Sequence, residues 1–289
     1  MTEPLEHHFT ASSPRLHYVA AGPSDGRPVI LLHGFPDFWY GWRHQIPALA
    51  AAGLRVYALD QRGYNLSDKP RGARHYTLDQ LAGDVLRVAD EVAPGLSVTL
   101  VGHDFGAAAA WWLASRRPER VARQVIVNLP HPAVYGRTLW RNPAQLLRSW
   151  YILFFQLPAL PEWAMRQRRC YALAEALRRS SRPGAFTLDD LRRYRAAWAQ
   201  PGALTGMVDW YRGVFRQRDP FPDMRIVVPT LILWGVHDVA LVPAMAEPSR
   251  ALCVDGRLIV FSHCTHWPHL EEPRRVNDAL VQFSVTERW

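Results

Sequence analysis

Short β-branched runs alternate along the chain with segments of helical periodicity, and this alternation limits the possible folds more than any other feature. It is typical of a parallel sheet built from β-α-β units. Strands are predicted at residues 28–33, 55–60, 97–102, 123–128, 230–235 and 257–262. Helices are predicted at 78–92, 106–116 and 273–283, among others. Two earlier runs, near residues 8–12 and 16–20, alternate more and favour an antiparallel hairpin at the sheet edge.

The strand–helix alternation stops near Pro130 and resumes near Pro229. The stretch between them is helical in pattern, rich in arginine and aromatic residues, and broken by prolines. The simplest interpretation is a helical cap at residues 131–222, inserted into an α/β core formed by residues 1–130 and 223–289. A binding cleft is expected between the cap and the sheet.

Composition excludes several functional classes. The formal charge of +8 comes from 34 basic and 26 acidic residues that are interspersed, and no nucleic-acid-binding module accompanies them. The three cysteines form no CxxC pair, which argues against a disulfide scaffold or a zinc site. The N-terminus lacks the apolar stretch of a signal peptide, and the most apolar run, at 150–157, is shorter than the ~20 residues of a membrane span. We therefore expect a soluble cytoplasmic protein, monomer or homodimer, with no nucleic-acid or membrane partner.

The segment Gly102-His-Asp104-Phe105-Gly106 follows a predicted strand and opens a predicted helix. A sharp strand–turn–helix elbow requires small residues on both sides of a nucleophile. A carboxylate at that position attacks sp³ carbon without a base to deprotonate it first. The amides of Phe105 and of Phe35, in the turn after an earlier strand, are the expected oxyanion donors. The alternative for Asp104 is a strand-ending aspartate that merely caps the helix.

An acid and a histidine follow the nucleophile along the chain, each on a loop after a predicted strand. Asp238 ends the run 231–238, and His266 follows the next strand. Nucleophile, acid and histidine occur in this order in α/β-hydrolases. His266 would activate water and Asp238 would orient the imidazole. The rival histidines are His263 and His269; Asp255, the rival acid, precedes a strand.

These residues together resemble the epoxide hydrolase branch of the α/β-hydrolase superfamily over nearly the whole chain. The motifs are His33-Gly-Phe-Pro36, Asp60-Gln-Arg-Gly-Tyr-Asn65, Gly102-His-Asp104 and His266-Trp-Pro-His-Leu-Glu-Glu-Pro273. The resemblance implies the α/β-hydrolase fold: an eight-stranded, mostly parallel sheet flanked by helices, with an inserted helical cap. It also implies the cleavage of an epoxide by water to a vicinal diol, through a covalent ester on Asp104.

In this family two cap tyrosines bind the epoxide oxygen and protonate the departing alkoxide. Tyr151 and Tyr211 lie in segments that resemble that pattern, whereas Tyr135, Tyr171 and Tyr194 are interpreted as structural. Either of the first two could instead be a core aromatic residue. An apolar pocket for a lipophilic epoxide is expected from Trp39, Phe154, Phe155 and Trp267. No metal or organic cofactor is expected, because no cluster of His, Cys or carboxylate residues has ligand spacing.

Two other functions use the same residues. A haloalkane dehalogenase would share the nucleophile, but many relatives carry a tryptophan after it, whose indole N–H can bind halide, and this chain has Phe105. A catalytically silent hydrolase-fold protein that binds a ligand is the third hypothesis. A complete set of Asp104, Asp238 and His266 argues against it, since a pure binding protein has no need of that set.

Overall fold

The computed structural model describes residues 5–218, 221 and 225–286. Its strands form one eight-stranded sheet. They are β1 (Glu6–Phe9), β2 (His17–Ala21), β3 (Arg27–Leu32), β4 (Leu54–Leu59), β5 (Val98–His103), β6 (Val121–Val127), β7 (Thr230–Gly235) and β8 (Gly256–Phe261). The order across the sheet is β1-β2-β4-β3-β5-β6-β7-β8. Strands β3 to β8 pair in parallel, and β1 and β2 form the antiparallel edge, as predicted.

Strand limits differ from the predicted ones by a few residues. The first strand ends at Phe9 rather than continuing to residue 12, because the Thr10 amide donates to the Leu16 carbonyl at 2.8 Å and closes the hairpin. The fourth parallel strand begins two residues early, at Val121, directly after a short 3₁₀ turn. The predicted helix at 78–92 has the predicted limits. The architecture is therefore that of the α/β-hydrolase fold expected from the sequence.

Helices cover both faces of the sheet. They are α1 (Gln45–Ala51), α2 (Leu78–Val92), α3 (Phe105–Arg116), α10 (Ala246–Ala251), α11 (Pro268–Glu271) and α12 (Pro273–Val285). Because side chains alternate along a strand, Ile30 and Leu32 of β3 join the apolar core with α2 and α3, whereas Val29 and Leu31 join the core with α1 and α12. The alanines that open α3 are buried, and their small side chains allow the helix to pack closely on the sheet.

Six helices lie between β6 and β7 in the described part of the chain, and we refer to residues 132–214 as the cap. They are α4 (Pro132–Arg141), α5 (Pro143–Arg148), α6 (Trp150–Phe154), α7 (Leu160–Arg179), α8 (Leu188–Trp198) and α9 (Ala203–Val214). In α7 the backbone leaves the helical conformation at residues 167–170. The predicted boundary between cap and core, at residues 222 and 223, lies outside the described residues.

Buried hydrogen bonds fix the cap to the core. Trp198 Nε1 donates to the Pro36 carbonyl at 2.6 Å, and the Tyr194 hydroxyl donates to Asp37 Oδ1 at 2.7 Å. Trp210 Nε1 donates to the Arg62 carbonyl at 2.9 Å. The cap therefore contacts the loops that follow β3 and β4, at the carboxyl edge of the parallel strands. No helix in residues 5–218 or 225–286 is both long and apolar enough to cross a membrane.

The Arg62 guanidinium is almost completely buried and depends on one carboxylate. It donates to both oxygens of Asp84, at 2.6 Å for Nη2 to Oδ1, and its remaining bonds reach the His75 carbonyl and Gln80. We expect Asp84→Ala to lower the free energy of unfolding by about 3–5 kcal/mol, because it leaves a buried charge without its counter-ion. Urea unfolding followed by circular dichroism measures the change.

Glu247→Gln is the matched control, since the Glu247–Arg250 pair lies on the surface. We expect it to leave the unfolding midpoint unchanged. Equal midpoints for Asp84→Ala and Glu247→Gln would contradict the importance of the buried pair.

Candidate active site

Asp104 occupies a strained turn between β5 and α3. Its backbone has φ 48° and ψ −127°, a conformation that non-glycine residues rarely adopt. The flanking glycines allow the close packing at this turn. A Cβ at Gly106 would lie 2.2 Å from the Leu32 carbonyl oxygen, and one at Gly102 would lie 2.5 Å from the Ala107 Cα. The elbow expected from the sequence is therefore present, and it raises the aspartate above the end of the sheet.

Two backbone amides hold the Asp104 carboxylate. The Phe35 amide donates to Oδ2 at 2.9 Å, and the Phe105 amide is a second donor. The turn after β3 approaches closely because Gly34 has no side chain: a Cβ there would lie 2.3 Å from the Asp104 Cβ. The pair of amides predicted as oxyanion donors thus faces the carboxylate of Asp104.

His266 and Asp238 form a buried pair beside this turn. The Nδ1 of His266 donates to Oδ2 of Asp238 at 2.7 Å. The other carboxylate oxygen of Asp238 accepts the amides of Ala240 and Leu241 at 2.7 and 3.1 Å. With Nδ1 bonded to the carboxylate, the Nε2 of His266 carries the lone pair when the ring is neutral.

The rival residues have different surroundings. His263 is exposed, and Asp255 is exposed directly before β8, where its carbonyl accepts the amide of Thr230, the first residue of β7. His269 is buried against Trp42, and burial lowers its pKa well below the usual histidine value. In the described part of the chain neither of these histidines pairs with Asp238, and His266 pairs with Asp238 rather than with Asp255.

Sequence reasoning missed residues that support Asp238. Asn128 Nδ2 donates to Oδ2 of Asp238 at 2.7 Å, and its Oδ1 accepts the Gly235 amide at 2.8 Å. Arg148 of the cap donates to the Asp238 carbonyl at 2.7 Å and to the Leu241 carbonyl at 3.0 Å. The position of Asn128 directly after β6 was a visible signal. Arg148 is far from Asp238 in the sequence, and no sequence pattern indicated their contact.

The ionisable groups shift one another's pKa. Burial raises the pKa of Asp104, against the opposing effect of the neighbouring His266 and the two amides. Burial alone would lower the pKa of His266, but the Asp238 carboxylate, with a contribution from Asp104, raises it to about 9. The two carboxylates therefore favour the protonated form of the imidazole in the free protein.

Tyr151 and Tyr211 come together from α6 and α9. Their ring centroids are 5.7 Å apart, and the Tyr211 ring packs edge-on against Phe105 at 4.6 Å. Burial raises the pKa of both phenols well above the usual value, and the charge of the nearby Asp104 is the next cause. Neither hydroxyl makes a side-chain hydrogen bond that affects its pKa within residues 5–218 or 225–286. Both hydroxyl groups can therefore bind a ligand.

The predicted pocket residues do not all join this group. Phe155 packs against Phe35 and Tyr211, with centroids 5.3 and 4.7 Å apart, and Phe154 packs on Phe155. The Trp267 ring contacts the His266 ring at 5.2 Å.

Trp39 lies elsewhere. Its ring contacts are with His7, Phe38 and Tyr40, and its amide donates to Asp60. A pocket role for Trp39 gains no support from these contacts.

Comparison with known proteins agrees with this fold. The family model for the alpha/beta hydrolase fold matches residues 27–273. The "AB hydrolase superfamily protein YfhM" of Bacillus subtilis is 42% identical over 268 residues, which cover 93% of each chain. The mouse protein "Epoxide hydrolase 4" is 38% identical over 279 residues, covering 94% of this chain and 77% of the mouse protein.

Solved structures extend the likeness to three dimensions. The crystal structure of a Bacillus megaterium epoxide hydrolase in complex with an inhibitor superposes with a TM-score of 0.87 at 30% identity, and covers 96% of this chain and all of the other. The family match spans most of the chain, and the relatives align over nearly all of it. The chain therefore belongs to the α/β-hydrolase superfamily, in the branch that contains the epoxide hydrolases.

Proposed function

We propose that the protein is an epoxide hydrolase that converts a lipophilic epoxide and water to a vicinal diol. The observation that carries the proposal is a carboxylate, rather than a hydroxyl, at the apex of the elbow, with the Phe35 amide 2.9 Å from its Oδ2. A carboxylate in this position can attack an sp³ carbon to form an ester, and water can then hydrolyse that ester to regenerate the carboxylate. Epoxide-hydrolysing relatives with similar sequences support the same reaction class.

In the first step Asp104 attacks one epoxide carbon and the C–O bond of the ring breaks. The electron pair remains on the oxygen, and Tyr151 or Tyr211 donates the proton that neutralises the alkoxide. Because the raised pKa keeps both phenols neutral, they are donors at neutral pH. Ester formation also removes the negative charge of Asp104, which is one cause of that raised pKa. The phenols therefore become more acidic as the alkoxide forms.

In the second step Nε2 of His266 takes a proton from water, and the resulting hydroxide attacks the ester carbonyl. The amides of Phe35 and Phe105 donate to the developing oxyanion, and collapse of the tetrahedral intermediate releases the diol. Asp238 stabilises the imidazolium that forms. Since Asp104 contributes to the raised pKa of His266, esterification lowers that pKa. The imidazolium then gives up its proton, which converts the phenolate left by the first step back to a phenol, and the neutral imidazole acts as the base.

The lining favours an uncharged, lipophilic substrate. Phe35, Phe105 and Phe155 pack around Tyr211, and none of these three side chains can pair with a substrate charge. The side chains of Phe35 and Phe105 also carry no N–H donor, which argues against halide as the leaving group.

We expect the His266→Gln variant to accumulate the ester. After mixing with styrene oxide, its intact mass should increase by the mass of one substrate, and peptide mapping should place the addition on Asp104. Nucleophilic attack is intact in this variant, but the base that hydrolyses the ester is missing.

The double variant Asp104→Asn/His266→Gln is the control and should gain no mass. His263→Gln, which changes an exposed histidine of the same loop, should turn over without an adduct. An adduct on another residue would contradict the proposed nucleophile. Halide release from bromoalkanes without any epoxide turnover would instead identify a dehalogenase.

The tyrosines are tested by Tyr151→Phe, Tyr211→Phe and the double variant. Each single change should lower kcat for epoxide by roughly 10²-fold, and the double change by roughly 10³-fold or more, because the alkoxide loses its proton donors. Steady-state kinetics measure the loss. Tyr171→Phe, on the exposed surface of the cap, should leave kcat unchanged. Full activity in the double variant would rule out the phenols as donors.

The rate of ester formation should fall as the pH drops through the raised pKa of Asp104, because a protonated carboxyl is not a nucleophile. The fall should begin at a higher pH than that at which an exposed aspartate titrates. In His266→Gln the fall in rate should begin at a still higher pH, because the imidazole that lowers the pKa of Asp104 is absent. Single-turnover rapid quench with mass spectrometry measures both profiles. The same pH dependence of ester formation in the wild type and in His266→Gln would contradict the effect of His266 on the pKa of Asp104.

A further inference from the structure

Three buried polar side chains that the proposed reaction does not use converge behind the active site. Asp37 follows β3, His103 ends β5, and His269 lies in α11. One potential ligand atom from each lies within 4.8 Å of the other two. Asp37 is 1% exposed, and both histidines are fully buried. The three residues are separated by long stretches of chain, which is why ligand spacing in the sequence did not indicate them.

Several polar atoms of this group have no hydrogen-bond partner among the described residues. They are Asp37 Oδ2, His103 Nδ1 and both ring nitrogens of His269. An unsatisfied buried polar atom is costly and is rare in native proteins. Four of them in one place indicate that a further species binds there.

The hydrogen bonds that these residues already make limit which species can bind to the remaining atoms. The Oδ1 of Asp37 accepts the Phe38 amide and the Tyr194 hydroxyl, both at 2.7 Å, so Oδ2 remains a free acceptor. Nε2 of His103 lies 2.8 Å from the His266 carbonyl and must donate to it, so Nδ1 carries a lone pair. A neutral His269 adds one more lone pair. A water molecule has two protons to donate, whereas a cation can accept all three lone pairs.

Gly41 allows the unpaired oxygen of Asp37 to occupy its present position. A Cβ at Gly41 would lie 1.8 Å from Asp37 Oδ2, so only glycine leaves room for this oxygen. The neighbouring cation, Arg43, is bonded to the carboxylate of Asp190 at 3.4 Å and to the Ala185 carbonyl at 3.2 Å. Arg43 therefore has other partners, and it makes no hydrogen bond to Asp37 Oδ2.

We propose that Asp37, His103 and His269 form a site for a divalent transition-metal ion, with zinc as the best match. Two imidazole nitrogens and one carboxylate oxygen are ligands that zinc accepts, and a water molecule can complete a tetrahedron. Zinc bonds of about 2.0–2.2 Å place tetrahedral ligand atoms about 3.3–3.5 Å apart, so side-chain rotations that shorten the present separations would close the site.

The bound ion would connect three loops of the active site. These are the turn that carries the Phe35 amide, the elbow that carries Asp104, and the segment that begins with His266. It would also hold His103 in the tautomer that donates to the His266 carbonyl. The role is structural, and no step of epoxide hydrolysis passes through the metal.

The test measures metal binding and does not use epoxide turnover, so its failure is separate from a failure of the proposed enzyme activity. The full-length chain is produced in cobalt-supplemented medium, which allows uptake during folding, and is purified without a metal-affinity column. Elemental analysis should give one cobalt per chain, with the visible absorption of four-coordinate cobalt, and zinc should displace it. The metal-loaded protein should melt at a higher temperature than protein stripped by a chelator.

Asp37→Asn and His269→Gln should each lose the cobalt absorption and most of the bound metal. The controls His8→Gln and His263→Gln change exposed histidines and should retain one equivalent, which excludes adventitious surface binding. Wild-type protein that carries no cobalt, or variants of Asp37 and His269 that bind as the wild type does, would overturn the proposal. If His269→Gln fails to fold, the cobalt content of the wild type and of the nearly isosteric Asp37→Asn still tests the proposed site.

Discussion

The close approach of two turns is the constraint on which the rest of the site depends. The Phe35 amide reaches the Asp104 carboxylate only because Gly34 has no side chain, and the elbow at Asp104 exists only because Gly106 lets α3 lie against β3. Packing of α3 on the sheet offsets the strain of the positive φ at Asp104. A preorganised pair of amides therefore exists before any substrate binds, which is how electrostatic stabilisation avoids reorganisation during the reaction.

Charge balance in the buried site follows from this arrangement. Asp238 is buried, Asp104 is partly buried, and both carboxylates raise the pKa of the His266 imidazole. Burial alone disfavours every one of these charges, so each charged group depends on the others. The proposed ester formation removes one negative charge, and the pKa of His266 and of both tyrosines then falls together. The same event thereby prepares the alkoxide's proton donor and the water-activating base.

The strand patterns and the order of residues along the chain were sufficient to predict the sheet and the positions of Asp104, Asp238 and His266 after its strands. Each lies in the segment that follows a parallel strand, and parallel strands bring their carboxyl ends to one edge. The surroundings of these residues could not be predicted in this way. Arg148 and Asn128 reach Asp238 from elsewhere in the chain, and Trp39 contacts His7 at the sheet edge, because packing between distant segments leaves no periodic pattern in the sequence.

The cap is positioned by the same turn that supplies an oxyanion amide. Trp198 donates to the Pro36 carbonyl, and Tyr194, which the sequence suggested was only structural, donates to Asp37. A displacement of α8 would therefore disturb the turn that holds the Phe35 amide, one residue before Pro36. Trp210 likewise ties α9 to Arg62, and Tyr211 is the next residue of that helix. The same buried hydrogen bonds thus position the phenols and the nucleophile. The distance between them therefore depends on how the cap packs on the core, and not on either part alone.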